Sequence, residues 1–190
     1  MAGKSGRVVV VSGPSGVGKS TVCHRLCDVL PAEFSVSVTT RMARPGEAKA
    51  RDYHYVSREE FARLRDGGEL LEWAEVYGQM YGTPLEPVRH AIADGRTIVL
   101  EIDIQGCMQV RRKMADAMAF FLLPPTAEEQ RRRIEGRKTD AAETIRERLS
   151  KADGEIRFAM DSGAYDEFVV NVDIEDTVKK IQEGILAKST

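Results

Sequence analysis

The chemistry most plainly written in this chain lies in the run Gly13-Pro14-Ser15-Gly16-Val17-Gly18-Lys19-Ser20, followed by Thr21. A glycine, four residues and then Gly-Lys-Ser is the spacing of a phosphate-cradling P-loop. Its glycines let the backbone wrap phosphate oxygens with N–H groups aimed inward, and a helix opening at the loop adds its positive end. Lys19 is the residue type that bridges β- and γ-phosphates, and the Ser20 hydroxyl is a ligand type for Mg²⁺. The bland alternative is a chance glycine-rich turn. Its place between a buried strand and a helix favours nucleoside triphosphate binding instead. The loop alone names no reaction, because GTPases, ATPases, transporter subunits and small-molecule kinases share it.

Other candidates are spread along the chain. Glu101 and Asp103 stand near the end of a dense apolar run, where a carboxylate reaches Mg²⁺ directly or through water in the manner of a Walker-B acid. Glu101, two residues back on the same strand face, is read as supporting Asp103 or facing the acceptor. Between Thr126 and Lys151 the chain carries Arg131, Arg132, Arg133, Arg137, Arg146 and Arg148. Laced with glutamates, such a run is by default a solvated helix face; the alternative is a mobile lid whose arginines close on a transferring phosphoryl group and exclude water. His24, His54 and His90 are scattered, without a nucleophile partner or metal spacing. Cys23 and Cys27 stand four apart and could share a metal, yet no second ligand pair lies at zinc spacing, so packing is the expectation.

The elements that must position these groups follow from periodicity. Arg7 to Ser12, Thr97 to Ile104, Ala117 to Leu123 and Phe168 to Val172 read as buried parallel strands. Helices are expected over Thr21–Leu30, Pro84–Gly95, Thr139–Arg157 and Ile174–Ala187. Another opens at Thr126, with Glu129 completing a capping box. Strands alternating with helices predict an α/β fold, a three-layer P-loop NTPase sandwich around a parallel sheet. From Ser35 to Thr83 the periodicity breaks up, glycine and arginine become frequent, and Tyr53, Tyr55, Tyr77 and Tyr81 cluster. This segment reads as an inserted lobe of short strands with one helix, Arg58–Arg65. The expected division is a core of residues 1–34, 84–125 and 158–190, an acceptor lobe 35–83 and a helical lid 126–157, all in one domain.

Composition sets limits. With 190 residues and a net charge of -2, there is no basic excess pointing to nucleic acid or an anionic membrane. No stretch approaches the ~20 apolar residues that span a bilayer. The run Val8-Val9-Val10-Val11 is too short for a signal segment. Three cysteines without framework spacing argue against a disulfide scaffold and fit a reducing cytoplasm.

Several separated motifs then agree in order. After Ser12–Thr21 come Ser35-Val36-Ser37-Val38-Thr39-Thr40-Arg41, Arg44-Pro45-Gly46-Glu47, Asp52-Tyr53, Glu72-Trp73, Tyr81-Gly82-Thr83 and Ile102-Asp103-Ile104-Gln105-Gly106. From Arg7 to about Ile185 the chain resembles the guanylate kinase family. The resemblance implies Mg²⁺-dependent transfer of the ATP γ-phosphoryl group to GMP, with dGMP as a further acceptor. It implies that Arg41, Arg44, Tyr53 and Tyr81 hold the GMP phosphate, with Glu47, Glu101 and Asp103 on the same side. Such a dianion needs cationic forks and hydroxyl donors, which these four supply. Glu72 would accept from guanine N1–H and the 2-amino group, Ser37 would donate to O6, and Thr83 would contact the 2-amino group. By the same resemblance Arg137 and Arg148, with Arg133 behind them, are lid arginines, and Asn171 contacts the ATP adenine. Lys138 departs from the family's usual Gly or Asn. A sugar-phosphate kinase is the runner-up, disfavoured because it gives Glu72, Ser37 and Thr83 nothing to read. A non-catalytic scaffold domain is the other alternative, disfavoured by Lys19 and Ser20. The sequence leaves a homo-oligomer open.

Overall fold

The computed structural model describes residues 6–44, 46–136 and 142–188, with the side chains of 142–148 outside that description. In chain order the elements are β1 (Arg7–Ser12), α1 (Lys19–Val29), β2 (Ala32–Phe34), β3 (Val38–Thr39), β4 (His54–Tyr55), α2 (Arg58–Asp66), β5 (Leu70–Val76), β6 (Gln79–Pro84), α3 (Leu85–Ala93), β7 (Thr97–Glu101), α4 (Ile104–Lys113), β8 (Met118–Leu123), α5 (Ala127–Glu135), α6 (Ala142–Ser162), β9 (Glu167–Val170) and α7 (Ile174–Ala187).

The valine run of β1 is apolar on both faces, so it needs cover on both. It lies at the centre of a five-stranded parallel sheet ordered β2-β7-β1-β8-β9. Successive residues point to opposite sides. Val9 and Val11 pack with Val22 and Leu26 of α1 and with Val178, Ile181 and Ile185 of α7. Val8 and Val10 face Val88 and Ala91 of α3 and Cys107 and Val110 of α4. Helices on both faces of a parallel sheet make the expected three layers.

The segment between Ser35 and Pro84 forms a second, four-stranded sheet ordered β4-β3-β6-β5. Its small core is Val38, Phe61 and Leu70. The β5–β6 hairpin turns through Tyr77 and Gly78, both at positive φ (52° and 73°), the twist a two-residue hairpin requires. In this hairpin Glu72 stands directly opposite Thr83.

Several expected bounds shift, among them α3, which spans Leu85–Ala93, and β9, which spans Glu167–Val170. The strand read from Thr97 through Ile104 ends at Glu101. Asp103 is instead the N-cap of α4, its carboxylate accepting the Gly106 N–H at 2.8 Å. The apolar pair Ile102 and Ile104 fits a strand by local pattern, but the aspartate cap three residues before Gly106 decides for a helix. The lid–core boundary expected at 157 falls inside α6, which runs to Ser162.

The far end of the core sheet braces the P-loop. Asn171, just past β9 and 2% exposed, donates its amide to the Val17 carbonyl at 2.7 Å and accepts from the Thr177 hydroxyl at 2.9 Å. Truncation would leave the buried Val17 carbonyl without this partner, whereas the Thr177 hydroxyl keeps its bond to the Asp173 carbonyl at 2.7 Å. Asn171→Ala is expected to lower the unfolding free energy by about 1–3 kcal/mol, read from urea denaturation; an unchanged midpoint would show that the brace carries no load.

Candidate active site

The P-loop passes from β1 into α1, which begins at Lys19 rather than at Thr21. Lys19 and Ser20 therefore sit in the first helical turn, where backbone N–H groups lack helical partners and point into the loop. Gly18 caps the helix in the left-handed region (φ 97°), and a Cβ there would lie 2.8 Å from the Asn171 amide nitrogen. Lys19 donates to the carbonyls of Gly13 (2.7 Å) and Pro14 (3.1 Å). The Ser20 hydroxyl donates to Glu101 at 2.9 Å, so Glu101 is the carboxylate that stands against the P-loop serine.

In front of the loop lie two connected cavities, of about 560 and 260 Å³. Ser15, Lys19, Ser37, Arg41, Arg44, Tyr53 and Glu101 line both. The smaller also takes in Gly16, Gly18 and Ser20; the larger takes in Tyr81, Asp103 and Glu72. The P-loop and the arginine cluster thus face one another across a shared wall.

Arg41 is held in place from several sides. It pairs with Glu47 at 2.9 Å, donates to the Met42 carbonyl at 2.8 Å, and lies 5.3 Å over the Tyr53 ring. Glu47 also accepts from the Arg44 N–H and the Tyr55 hydroxyl, each at 2.8 Å. Burial opposes its charge, but the bonds from Arg41, Arg44 and Tyr55 prevail and hold the carboxyl down at about 2. Glu47 is therefore engaged in holding the Arg41 guanidinium and the backbone of Arg44. Burial pushes the Tyr53 phenol up, which keeps it a hydrogen-bond donor.

In the wall of the larger cavity Glu72 is 3% exposed, with one carboxylate oxygen 2.6 Å from the Thr83 hydroxyl. Burial raises its carboxyl to about 7; the Thr83 bonds oppose the shift and the charge of Asp103 adds to it. Asp103 is also raised by burial, against the pull of the Gly106 N–H and Lys19.

On the lid side, Thr126 caps α5 by accepting the Glu129 N–H at 3.1 Å. Glu129 does not return the bond with its side chain, which pairs with Arg132 and Arg133 instead. Arg133 reaches the Asn171 carbonyl at 3.2 Å. The Asn171 amide itself is turned inward toward the P-loop and lines neither cavity. Arg137 and the side chain of Arg148 lie outside the described residues, as does Pro45 of the Arg44–Glu47 motif.

Sequence reading missed several lining groups. Lys151, Glu155 and Phe158 project from α6 into the larger cavity. Their i, i+4, i+7 spacing was an available signal for a shared helix face. Gln130, 3% exposed, ties α5 to the P-loop through the Ser15 carbonyl at 2.8 Å; nothing local marks it.

Among the described residues no three His, Cys, Asp or Glu side chains converge on a metal. The Ser20 hydroxyl beside Glu101 suits a hard cation that keeps phosphate oxygens and water as its other ligands. Cys23 is buried in the core and Cys27 packs against it. Among the described residues no helix is long and apolar enough to cross a membrane.

A P-loop facing an arginine clamp, with a buried carboxylate in the wall of the same cavity, defines a kinase for small phosphorylated acceptors. A family model described as guanylate kinase matches residues 5–188. The guanylate kinase of Rubrobacter xylanophilus is 47% identical over 90% of this chain and 89% of its own length. That of Geobacter sulfurreducens is 41% identical over 97% and 90%. The crystal structure of guanylate kinase from Anaplasma phagocytophilum superposes with a TM-score of 0.82 at 37% identity, covering 98% of this chain and 88% of that one. The chain belongs to the guanylate kinase family, whose members are nucleoside monophosphate kinases.

The raised carboxyl of Glu72 has a cost that depends on pH. Between the ordinary value of 4.5 and about 7 the folded state holds more protons than the unfolded one, so stability falls as pH rises through that window. Glu72→Gln keeps the shape without the buried charge. At pH 8 the variant is expected to be more stable than wild type by about 1–3 kcal/mol, the gap closing toward pH 5. Equal denaturation midpoints at pH 8 would contradict this.

Proposed function

We propose that the chain catalyses the reaction of its family, transfer of the γ-phosphoryl group of ATP to GMP, or to dGMP, giving ADP and GDP or dGDP. The observation that carries the acceptor assignment is the buried Glu72 carboxylate in the wall of the cavity that Arg41 and Arg44 also line. Guanine offers N1–H and a 2-amino group on one edge, and a carboxylate accepts from both. An adenine edge in the same place would leave that charge buried and unpaired, which costs several kcal/mol. Ser37 would donate to O6 and Thr83 would complete the 2-amino contact.

The other roles follow from position. Gly13, Pro14, Ser15, Gly16, Val17, Gly18, Lys19, Ser20 and Thr21 would cradle the ATP phosphates. Arg41, Arg44, Tyr53 and Tyr81 would hold the GMP phosphate, with Glu47 keeping the Arg41 guanidinium aimed and the Arg44 backbone in place. Lys19, at the wall common to both cavities, is placed to steady the transferring group. The attacking oxygen of GMP is already anionic, so no general base is required. Magnesium, held by Ser20 with Glu101 or Asp103 behind it, would supply charge neutralisation on the β- and γ-phosphates. From the lid, Arg133, Arg137 and Arg148 would add cations to the same charge and exclude water as residues 126–157 close over the core and the 35–83 lobe. Asn171, whose carbonyl accepts from Arg133 at 3.2 Å, would mark the adenine side. The reaction belongs to the cytoplasmic nucleotide pool and needs neither nucleic acid nor membrane.

The test is a coupled ADP-release assay offering GMP, AMP, CMP and UMP in parallel to wild type and Glu72→Gln. Turnover confined to GMP, with kcat/KM lowered roughly 10²–10⁴-fold in the variant, is expected. Comparable turnover with AMP, or a variant indistinguishable from wild type, would remove Glu72 as the base reader.

A further inference from the structure

The motif ending in Gly106 is only partly used by the site just described, and its glycine has no conformational reason to be there. Gly106 lies in the first turn of α4, buried, and is not one of the glycines at positive φ. Glycine in a helix is less stable than alanine. What it supplies is the missing side chain. A Cβ at this position would stand 2.3 Å from one Glu72 carboxylate oxygen, 3.0 Å from its carboxyl carbon and 3.3 Å from the Asp103 carboxylate.

A side-chain end can often swing away from such a collision, but Glu72 has little freedom to do so. Its other oxygen is bonded to Thr83 at 2.6 Å, and the residue is 3% exposed. The strand that carries it is pinned to α4 on both sides. The Gln109 amide donates to the Trp73 carbonyl at 2.6 Å and its oxygen accepts the Trp73 N–H at 3.3 Å. Lys113 donates to the Leu71 carbonyl. Residues 71 and 73 are therefore tied to the helix on which Gly106 sits, and β5 cannot move back to open space.

We infer that Gly106 is a specificity-determining position of the acceptor site: its lack of a side chain leaves the volume in which the Glu72 carboxylate stands, so that a Cβ there would push the base reader off the guanine edge. Gly106 touches neither substrate in this account; it is a positioning residue acting through Glu72. The inference rests on the proposed reading of Glu72.

The experiment is a double-mutant cycle on the full chain with Gly106→Ala, Glu72→Gln and the pair, assayed with GMP and with IMP, which lacks the 2-amino group. Gly106→Ala is expected to raise KM for GMP roughly ten- to a hundredfold, to leave KM for ATP within about twofold, and to shrink the preference for GMP over IMP. In the Glu72→Gln background the same change is expected to add little, because the reader is already lost. Additive losses, or equal losses with GMP and IMP, would overturn the inference. If Gly106→Ala is too unstable to assay, Glu72→Ala/Gly106→Ala is expected to melt higher than Gly106→Ala alone; an equally low midpoint would place the clash elsewhere and overturn it too. A wild type with no preference for GMP would defeat the reading of Glu72 itself, whereas a guanine-selective wild type with an unaffected Gly106→Ala would defeat only the role of Gly106.

Discussion

A carboxylate has to be held, buried and ready to ionise, in the wall of a cavity, and much of the local architecture answers to that requirement. Glu72 is 3% exposed and its carboxyl rises to about 7, so the folded chain carries a group that would be more comfortable in water. The β5–β6 hairpin sets Thr83 opposite it as a hydroxyl partner. Helix α4 fixes the backbone on either side through Gln109 and Lys113. Gly106 leaves the carboxylate its space. Asp103, which caps α4, adds a like charge that pushes the Glu72 carboxyl further up. The base-reading site we propose is thus joined to the core through α4 and through Leu71, which packs with Val8, Val10 and Val88, although its strand belongs to the smaller sheet.

The second constraint is that two anionic groups must meet without water between them. In the site we propose, the P-loop would supply backbone N–H groups and Lys19 from the core, and Arg41 and Arg44, on the segment that follows β3, would meet them, with the Arg41–Glu47 pair restraining one fork. Around them the structure spends buried polar contacts on stiffness. Asn171 holds the Val17 carbonyl and Gln130 the Ser15 carbonyl, so the loop is braced from β9 and from α5 together. Preorganised donors of this kind do not need to reorient when charge moves, which is how phosphoryl transfer gains most from its protein.

The elements that could be read from sequence are those whose cause is local. Eight contiguous residues define the P-loop, and the Val8–Val11 run can be satisfied only by cover on both faces. The bounds of α7 agree with the reading at both ends because Asp173 caps it and its apolar positions recur at helical spacing. What was not legible depends on partners far apart in the chain. Ser20 and Glu101 are 81 residues apart, and Asn171 and Val17 are 154 apart. No local pattern says that Asn171 turns its amide toward the loop rather than outward. Helix α4 was hidden for a different reason: Ile102 and Ile104 continue the apolar period of β7, and only the Asp103 cap breaks it.

Ionisation of Glu72 on binding is the most direct mark of a carboxylate that reads guanine. Its proton can be counted by calorimetric titration of GMP into wild type and Glu72→Gln at pH 7, in buffers of different ionisation enthalpy. With the free carboxyl at about 7 and the bound one held ionised by two guanine donors, wild type should release about half a proton more than the variant. Equal proton release by the two proteins would contradict the account.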